Sequence, residues 1–107
     1  MTIPKYVNHQ GKVGVIHSYY PFAFWYTDHK IIEAVFDPEI VNAILTEQGP
    51  AVIEQIALKK YGRKNYSAAS CLRVEWLHAG LDFTIIRLGD IEKILVKKDY
   101  DWLRTDL

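Results

Sequence analysis

A two-residue turn in the last third of the chain constrains the fold more than any other feature of the sequence. The dipeptide Gly89-Asp90 separates two alternating apolar and polar runs. Glycine in the first position of a two-residue loop favours a type II′ hairpin turn, and counting outward from the turn sets the strand register. The predicted cross-strand pairs are Arg87 with Glu92, Ile85 with Ile94, Phe83 with Val96, and Asp82 with Lys97.

A second turn signal lies at Ala79-Gly80. It predicts that Trp76 faces Phe83 and that Val74 faces Ile85, which completes a three-stranded antiparallel meander. One face then carries two continuous apolar rows, Trp76–Phe83–Val96 and Val74–Ile85–Ile94. The other face is mixed and partly solvated, with Glu75, Thr84, Lys93 and Leu95. If the last strand continues, Tyr100 and Trp102 extend its core face.

The middle of the chain is predicted to be helical. Thr27 or Asp28 caps a short helix that runs to about Phe36. A second helix begins at residues 37–39, with Asp37 as the N-cap and Pro38 at the first helical position. Its apolar stripe at helical spacing consists of Ile40, Val41, Ile44 and Leu45.

A further helix begins at Pro50, after Gly49 ends the preceding one. Its stripe consists of Val52, Ile53, Ile56, Ala57 and Lys60 or Tyr61. Gly62 suits the C-terminal cap because glycine adopts the left-handed conformation without steric cost. The sequence therefore predicts two or three short helices between an N-terminal strand region and the C-terminal meander.

The N-terminal strand region contains a dense aromatic run. Residues 13–26 are rich in β-branched and aromatic types, and Pro21 divides them into a strand near 13–19 and an extended segment near 22–26. Six aromatic residues lie between positions 19 and 26. In an extended segment one face carries Tyr20, Phe22, Phe24 and Tyr26, and the other carries Tyr19 and Trp25. These rings either belong to the core or a dimer contact, or form a stacking wall for a flat ligand or partner.

Composition narrows the class of protein. The 107 residues suit a single α+β domain, and thirteen basic residues balance thirteen acidic ones. This balance disfavours general nucleic-acid binding, which usually requires a basic surplus. Cys71 is the single cysteine, so no intramolecular disulfide forms and the thiol is expected to be a small buried group. The N-terminus has no secretory signal and no stretch spans a bilayer, which predicts a cytoplasmic protein without membrane contact.

The histidines offer a weak case for catalysis. His9, His17, His29 and His78 show no metal-ligand spacing, so no metal and no cofactor are predicted. The chain also lacks the nucleophile, phosphate and dinucleotide motifs of common enzymes. An enzyme that uses His17, Asp28 and His29 remains an alternative hypothesis.

A basic cluster, "KKYGRK", follows the last predicted helix and contains Lys59, Lys60, Arg63 and Lys64. Cations at a helix C-terminus stabilise the helix dipole, which accounts for the cluster without a ligand. The alternative is an anion site for phosphate or an acidic partner, with Tyr61 or Tyr66 stacking beside it.

Four pieces of the chain between about residues 37 and 102 carry a resemblance: "DPEIV", "LRVEW", "DFTIIRLGDIEKI" and "DYDW". They resemble a pattern found in small uncharacterised proteins of bacteriophage genomes. Those proteins often carry a tyrosine-aspartate-glycine turn where this chain has "RLGDIE", and the first third of the chain does not match. The resemblance implies a phage or prophage origin and an accessory role, and it implies no activity.

The sequence thus predicts a non-catalytic binding protein, and the resemblance implies a phage-type accessory factor for host interaction or anti-defence. It would capture a small nucleotide-like ligand or a host protein, and zero net charge with clustered aromatics predicts a homo-oligomer. An assembly subunit without a ligand is a further alternative. The candidate binding residues are Tyr19, Tyr20, Phe24, Trp25, Tyr26, His29, Lys60, Arg63 and Lys64.

Overall fold

The computed structural model describes residues 3–21, 23–27, 30–62 and 69–96. The strands in this part of the chain form two antiparallel pairs, and three helices lie in sequence between the two strands of the first pair. The elements are β1 (Lys12–Ser18), α1 (Ile32–Phe36), α2 (Pro38–Leu45), α3 (Pro50–Tyr61), β2 (Leu72–His78), β3 (Phe83–Leu88) and β4 (Ile91–Val96). The architecture is α+β, as the sequence predicts.

The β3–β4 hairpin has the predicted register. Phe83 pairs with Val96, Ile85 with Ile94, and Arg87 with Glu92. The turn is a two-residue loop whose first residue, Gly89, has a φ of +61°, in the left-handed region that favours glycine. The predicted pair of Asp82 with Lys97 involves a position outside the described residues, as do Tyr100 and Trp102.

The predicted three-stranded meander is wrong, because β2 pairs with β1 and not with β3. Trp76 lies opposite Gly14, and Val74 lies opposite Ile16. A Cβ atom at Gly14 would lie 3.2 Å from the Trp76 ring, so the glycine gives the indole room. Ala79 and Gly80 belong to the four-residue connection between β2 and β3, which does not form a hairpin turn because the two strands are not paired.

The helix before Asp37 is shorter than predicted. The structure begins α1 at Ile32, and no side chain caps it. Lys30 has a φ of +54°, a left-handed conformation that a helix does not continue through. The predicted cap Thr27 instead has another role, described below, and Asp28 lies outside the described residues.

The N-cap of α2 and both ends of α3 agree with the sequence, but α2 ends at Leu45, with Thr46 as its C-cap, and does not reach Gly49. The Asp37 carboxylate accepts hydrogen bonds from the backbone N–H groups of Glu39 and Ile40, and Pro38 occupies the first turn of α2. Gly49 precedes α3 with a φ of +93°, and Gly62 ends it in the left-handed conformation. The faces that α2 and α3 bury include Ile40, Val41, Ile53 and Ala57.

Strand β1 lies at the centre of the packing, with both faces buried. Ile16 packs on one face in a cluster with α2 and α3. Val15 packs on the other face in a cluster with α1 and the β3–β4 hairpin. Among the described residues no helix is both long and apolar enough to cross a membrane.

The described rings of the aromatic run do not form one cluster, because residues 23–27 are not a strand. Trp25 is buried in the core and its indole Nε1 donates to the Ala34 carbonyl at 2.9 Å. Tyr26 packs at the edge of the second cluster. Tyr19 and Tyr20 are exposed at the end of β1. Phe22 lies outside the described residues.

Candidate functional site

A buried carboxylate organises the surroundings of the candidate site. Glu92 is 4% exposed, and its side chain crosses from β4 to β1 and to the segment after Trp25. It accepts hydrogen bonds from the Ser18 N–H (3.1 Å), the Tyr26 N–H (2.9 Å), and both the N–H (2.7 Å) and the hydroxyl (2.8 Å) of Thr27. The sequence predicts Glu92 as the cross-strand partner of Arg87. The register is right, but the carboxylate serves backbone donors from distant segments.

Arg87 is held at the surface beside this carboxylate. Its guanidinium carbon lies 3.6 Å from the centroid of the Phe24 ring. The guanidinium also donates to the Thr27 hydroxyl at 3.4 Å, and that hydroxyl donates to Glu92. When the face of a guanidinium stacks on a ring, its N–H groups point outward in the guanidinium plane. They can then donate hydrogen bonds to an anion. Phe24 and Thr27 thus orient Arg87.

A groove of about 430 Å³ opens in front of Arg87. This size lies within the usual range for small-molecule sites. Two cations, two hydroxyl side chains and one phenol ring contribute to its walls. The lining residues are Tyr26, Thr27, Lys30, Thr84, Ile85, Ile86 and Arg87. We call this the Arg87 groove.

Lys30 enters the groove from a strained backbone. Its φ of +54° is uncommon for a residue other than glycine, asparagine or aspartate, and costs roughly 1–2 kcal/mol. A hydrogen bond of 2.6 Å from the Lys30 N–H to the Tyr26 carbonyl holds the conformation. Backbone strain of this kind concentrates at binding sites, so the geometry favours a ligand role for this segment.

Lys60, one of the two described lysines of the predicted basic cluster, serves the fold. Lys60 Nζ lies 3.1 Å from the Asp37 carboxylate and 2.9 Å from that of Glu39. The Tyr61 hydroxyl donates to the same Asp37 carboxylate. This network joins the end of α3 to the start of α2, and its two carboxylates neutralise the lysine. Arg63 and Lys64 lie outside the described residues.

The protonation of this network follows its contacts. Burial raises the pKa of the Asp37 carboxyl, but hydrogen bonds from Tyr61, Ile40 and Lys60 outweigh burial and leave the pKa below its ordinary value. Burial and the bond to Asp37 raise the pKa of Tyr61 well above its ordinary value. For Lys60, burial lowers the pKa, but its carboxylate partners raise it overall. At neutral pH Asp37 is therefore a carboxylate, Lys60 a cation and Tyr61 a neutral phenol.

A second groove of about 430 Å³ lies between α2 and α3. Its lining is mostly carboxamide and aliphatic, with Glu39, Asn42, Gln48, Val52, Gln55, Ile56, Lys59 and Lys60. Its two lysines share the wall with the Glu39 carboxylate, and Lys60 is paired with both Glu39 and Asp37, so this groove offers less net positive charge to an anion than the Arg87 groove does.

His17, the described member of the alternative enzyme site, is only 8% exposed. Its Nδ1 lies 3.2 Å from the Ser18 carbonyl oxygen, which fits a donating Nδ1–H, and its buried Nε2 has no hydrogen-bond partner. Burial lowers the pKa of this imidazole below its ordinary value, although Glu75 and Glu92 partly offset the effect. Asp28 and His29 lie outside the described residues.

The comparisons with known proteins give no relative to reason from. No protein-family model matches the chain, and neither the curated proteins nor the solved structures contain a match. Within the part of the chain that the structure describes, no three His, Cys, Asp or Glu side chains are grouped to hold a metal ion.

The structure therefore brings only some of the predicted binding residues together. Phe24 and Tyr26 lie at the Arg87 groove, while Trp25 belongs to the core. Tyr19 and Tyr20 form a separate exposed pair, with ring centroids 6.5 Å apart. Thr27, Lys30 and Arg87 are groove residues that no sequence pattern predicts. Only the folded structure brings Arg87 against Phe24, because the two residues are distant in sequence and share no motif.

Proposed function

We propose that this protein is a non-catalytic binding module that holds a small anion bearing a planar ring, a mononucleotide being the nearest chemical type. The single observation that carries the proposal is the Arg87 guanidinium, stacked at 3.6 Å on Phe24 at the mouth of a groove. A guanidinium oriented in this way presents paired N–H donors to a phosphate or carboxylate.

The other groove residues fit the two ends of such a ligand. Lys30 supplies a second cation to the groove, and the Thr84 side chain is exposed there. Tyr26, half buried, offers a ring face on which a base could stack, and stacking contributes about 1–3 kcal/mol per base. A charge-assisted hydrogen bond contributes a further 1.5–3 kcal/mol, roughly. Micromolar binding requires about 8 kcal/mol net of association costs, so it needs the stack and the charge-assisted contacts of both cations together with the ligand surface that the groove buries.

Calorimetry of the full chain against mono-, di- and cyclic nucleotides tests the proposal. We expect binding with a dissociation constant below about 100 μM for at least one phosphorylated ligand, and much weaker binding of the matching nucleoside. Arg87→Ala should weaken binding roughly tenfold or more, since it removes charge-assisted hydrogen bonds. Lys30→Ala should weaken it in the same direction.

Lys5→Ala is the matched control. Lys5 is also exposed, and its Nζ lies 5.3 Å from the centroid of an aromatic ring, that of Phe36. It does not line the Arg87 groove. Equal losses in the Lys5 and Arg87 variants would contradict the assignment of the site, and so would equal affinity for nucleotide and nucleoside.

The exposed tyrosine pair favours a second candidate function, the capture of a host protein. Tyr19 is 46% exposed and Tyr20 is 59% exposed, and Arg73 stacks on Tyr19. Tyrosine and arginine are enriched at the hot spots of protein interfaces. A bacterial protein retained by the wild type and lost with Tyr20→Ala would support this candidate. An accessory role in a phage or prophage remains a prediction from the sequence resemblance, compatible with either ligand.

A further inference from the structure

The outer edge of β2 lacks a strand partner in the described part of the chain. Two bonds of β1 show which backbone groups face outward: Tyr19 N–H donates to the Cys71 carbonyl, towards β2, whereas Gly14 N–H donates to Tyr6, away from it. Because hydrogen-bonded and non-hydrogen-bonded pairs alternate in an antiparallel ladder, every second residue of β2 directs its backbone N–H and C=O groups away from β1. These residues are the register partners of Gly14, Ile16 and Ser18, namely Trp76, Val74 and Leu72.

Strand β2 has few of the features that usually protect an edge. It runs seven residues without proline, and its register with β1 is continuous, without a bulge. Its main packing neighbours are β1 at one edge and α2 on one face. A long, regular edge of this kind is a template for another strand.

The edge sequence is complementary to itself, and from this we infer that the outer edge of β2 is the contact between two copies of this chain. The two β2 strands pair antiparallel about a twofold axis at Val74. The backbone N–H and C=O groups of Val74 point to the outer edge, so Val74 and its symmetry copy form two backbone hydrogen bonds with each other. Arg73 then lies opposite the partner's Glu75, and the symmetry repeats this pair.

The charges select this register. Arg73 and Glu75 are both exposed, and in this register they occupy the narrow pairs, where opposite side chains approach most closely. An axis moved by one residue places Arg73 opposite itself or Glu75 opposite itself, which is repulsive. The other side of the strand carries Leu72, Val74 and Trp76, so the apolar face continues across the axis. A net charge of zero adds little repulsion between the copies.

Sedimentation of the full chain and of two charge-reversed variants tests the inference. We expect the wild type to dimerise with a dissociation constant in the micromolar range, roughly. Arg73→Glu alone and Glu75→Arg alone should each weaken the dimer roughly tenfold or more, because each places like charges opposite each other. An equimolar mixture of the two variants should dimerise again, since every pair across the axis is then of opposite sign.

Two further variants complete the test. Val74→Pro removes an outward N–H that β1 does not use, so we expect a folded monomer by far-ultraviolet circular dichroism. Lys93→Glu, on the exposed face of β4, is the charge-reversal control and should leave the dimer unchanged. A monomer at about 100 μM wild type would overturn the inference. So would a dimer that ignores both charge reversals, or one that is lost with Tyr20→Ala alone.

Discussion

Two buried carboxylates, Asp37 and Glu92, are stabilised by different means. Asp37 is 3% exposed and combines the N-cap of α2 with a lysine and a phenol. Glu92 is 4% exposed and accepts from three backbone N–H groups and a hydroxyl. Burying a charge is unfavourable unless its hydrogen-bonding capacity is filled, and both sites fill it. The Asp37 network is local enough that its cap follows from the sequence "DPE".

The low pKa of Asp37 predicts a pH-dependent contribution to stability. Because the pKa in the folded state is depressed, the contribution is fully present above the ordinary carboxyl pKa and is lost as the pH falls through the folded value. Asp37→Asn keeps a good N-cap but removes the charge. At pH 7 we expect it to lower the free energy of unfolding by about 2 kcal/mol, a modest value because Lys60 is 38% exposed and its ion pair is screened.

Urea unfolding of wild type and Asp37→Asn from pH 7 down to about pH 2 checks the sign. The difference between the two proteins should stay constant to about pH 4 and then shrink, since the wild-type carboxyl becomes neutral. Glu47→Gln, at an exposed position, serves as the control and should change stability by less than about 0.5 kcal/mol. A difference that grows as the pH falls would contradict the prediction.

At the scale of elements, the sequence predicts the features that local residues determine, such as turns and helix caps. The Gly89-Asp90 turn sets the register of β3 with β4, and the proline and glycine signals set both ends of α3. The same logic failed at Ala79-Gly80, because β2 had a better partner in β1, far away in the sequence. Gly14 fits this pairing, since it leaves room for the Trp76 ring, but a lone glycine in a strand does not reveal which ring it faces.

The β3–β4 register leads to a prediction about its apolar row. The Phe83 ring packs edge-on against Phe36, with centroids 5.8 Å apart, and Phe83 is the register partner of Val96. Phe83→Ala should lower the free energy of unfolding by about 2–4 kcal/mol, less than a fully buried phenylalanine because the residue is half buried. Denaturant titration at fixed protein concentration measures this loss.

Leu88→Ala is the control for this row. Leu88 ends the same strand but is 48% exposed, so its truncation should cost less than about 1 kcal/mol. Equal effects of the Phe83 and Leu88 substitutions would show that the inner face of the hairpin does not carry the packing energy assigned to it.

At the scale of the whole molecule, β1 separates two packed clusters, and Glu92 ties the hairpin of one to the strand between them. This tie explains why the candidate site could not be predicted. A glutamate opposite an arginine on a hairpin indicates a surface ion pair, and only the three-dimensional fold shows its carboxylate inside, bonded to backbone groups of residues 18, 26 and 27. The same contact places Thr27 where it orients Arg87, so the groove depends on a long-range hydrogen bond that leaves no periodic signal.

Glu92→Gln tests this role directly. The amide keeps one oxygen for the donors of Tyr26 and Thr27 but turns an N–H₂ group towards the Ser18 N–H, so one buried donor loses its acceptor. We expect a loss of about 1–3 kcal/mol in the free energy of unfolding, and hydrogen exchange of the Ser18 amide roughly tenfold faster or more. The amide of Val15, an inner residue of the same strand paired with β2, should keep its protection relative to global unfolding. If Ser18 and Val15 lose protection equally, the substitution acts by global destabilisation alone. If neither amide changes, the carboxylate does not join the two sheets, and the orientation of Arg87 must come from Phe24 instead.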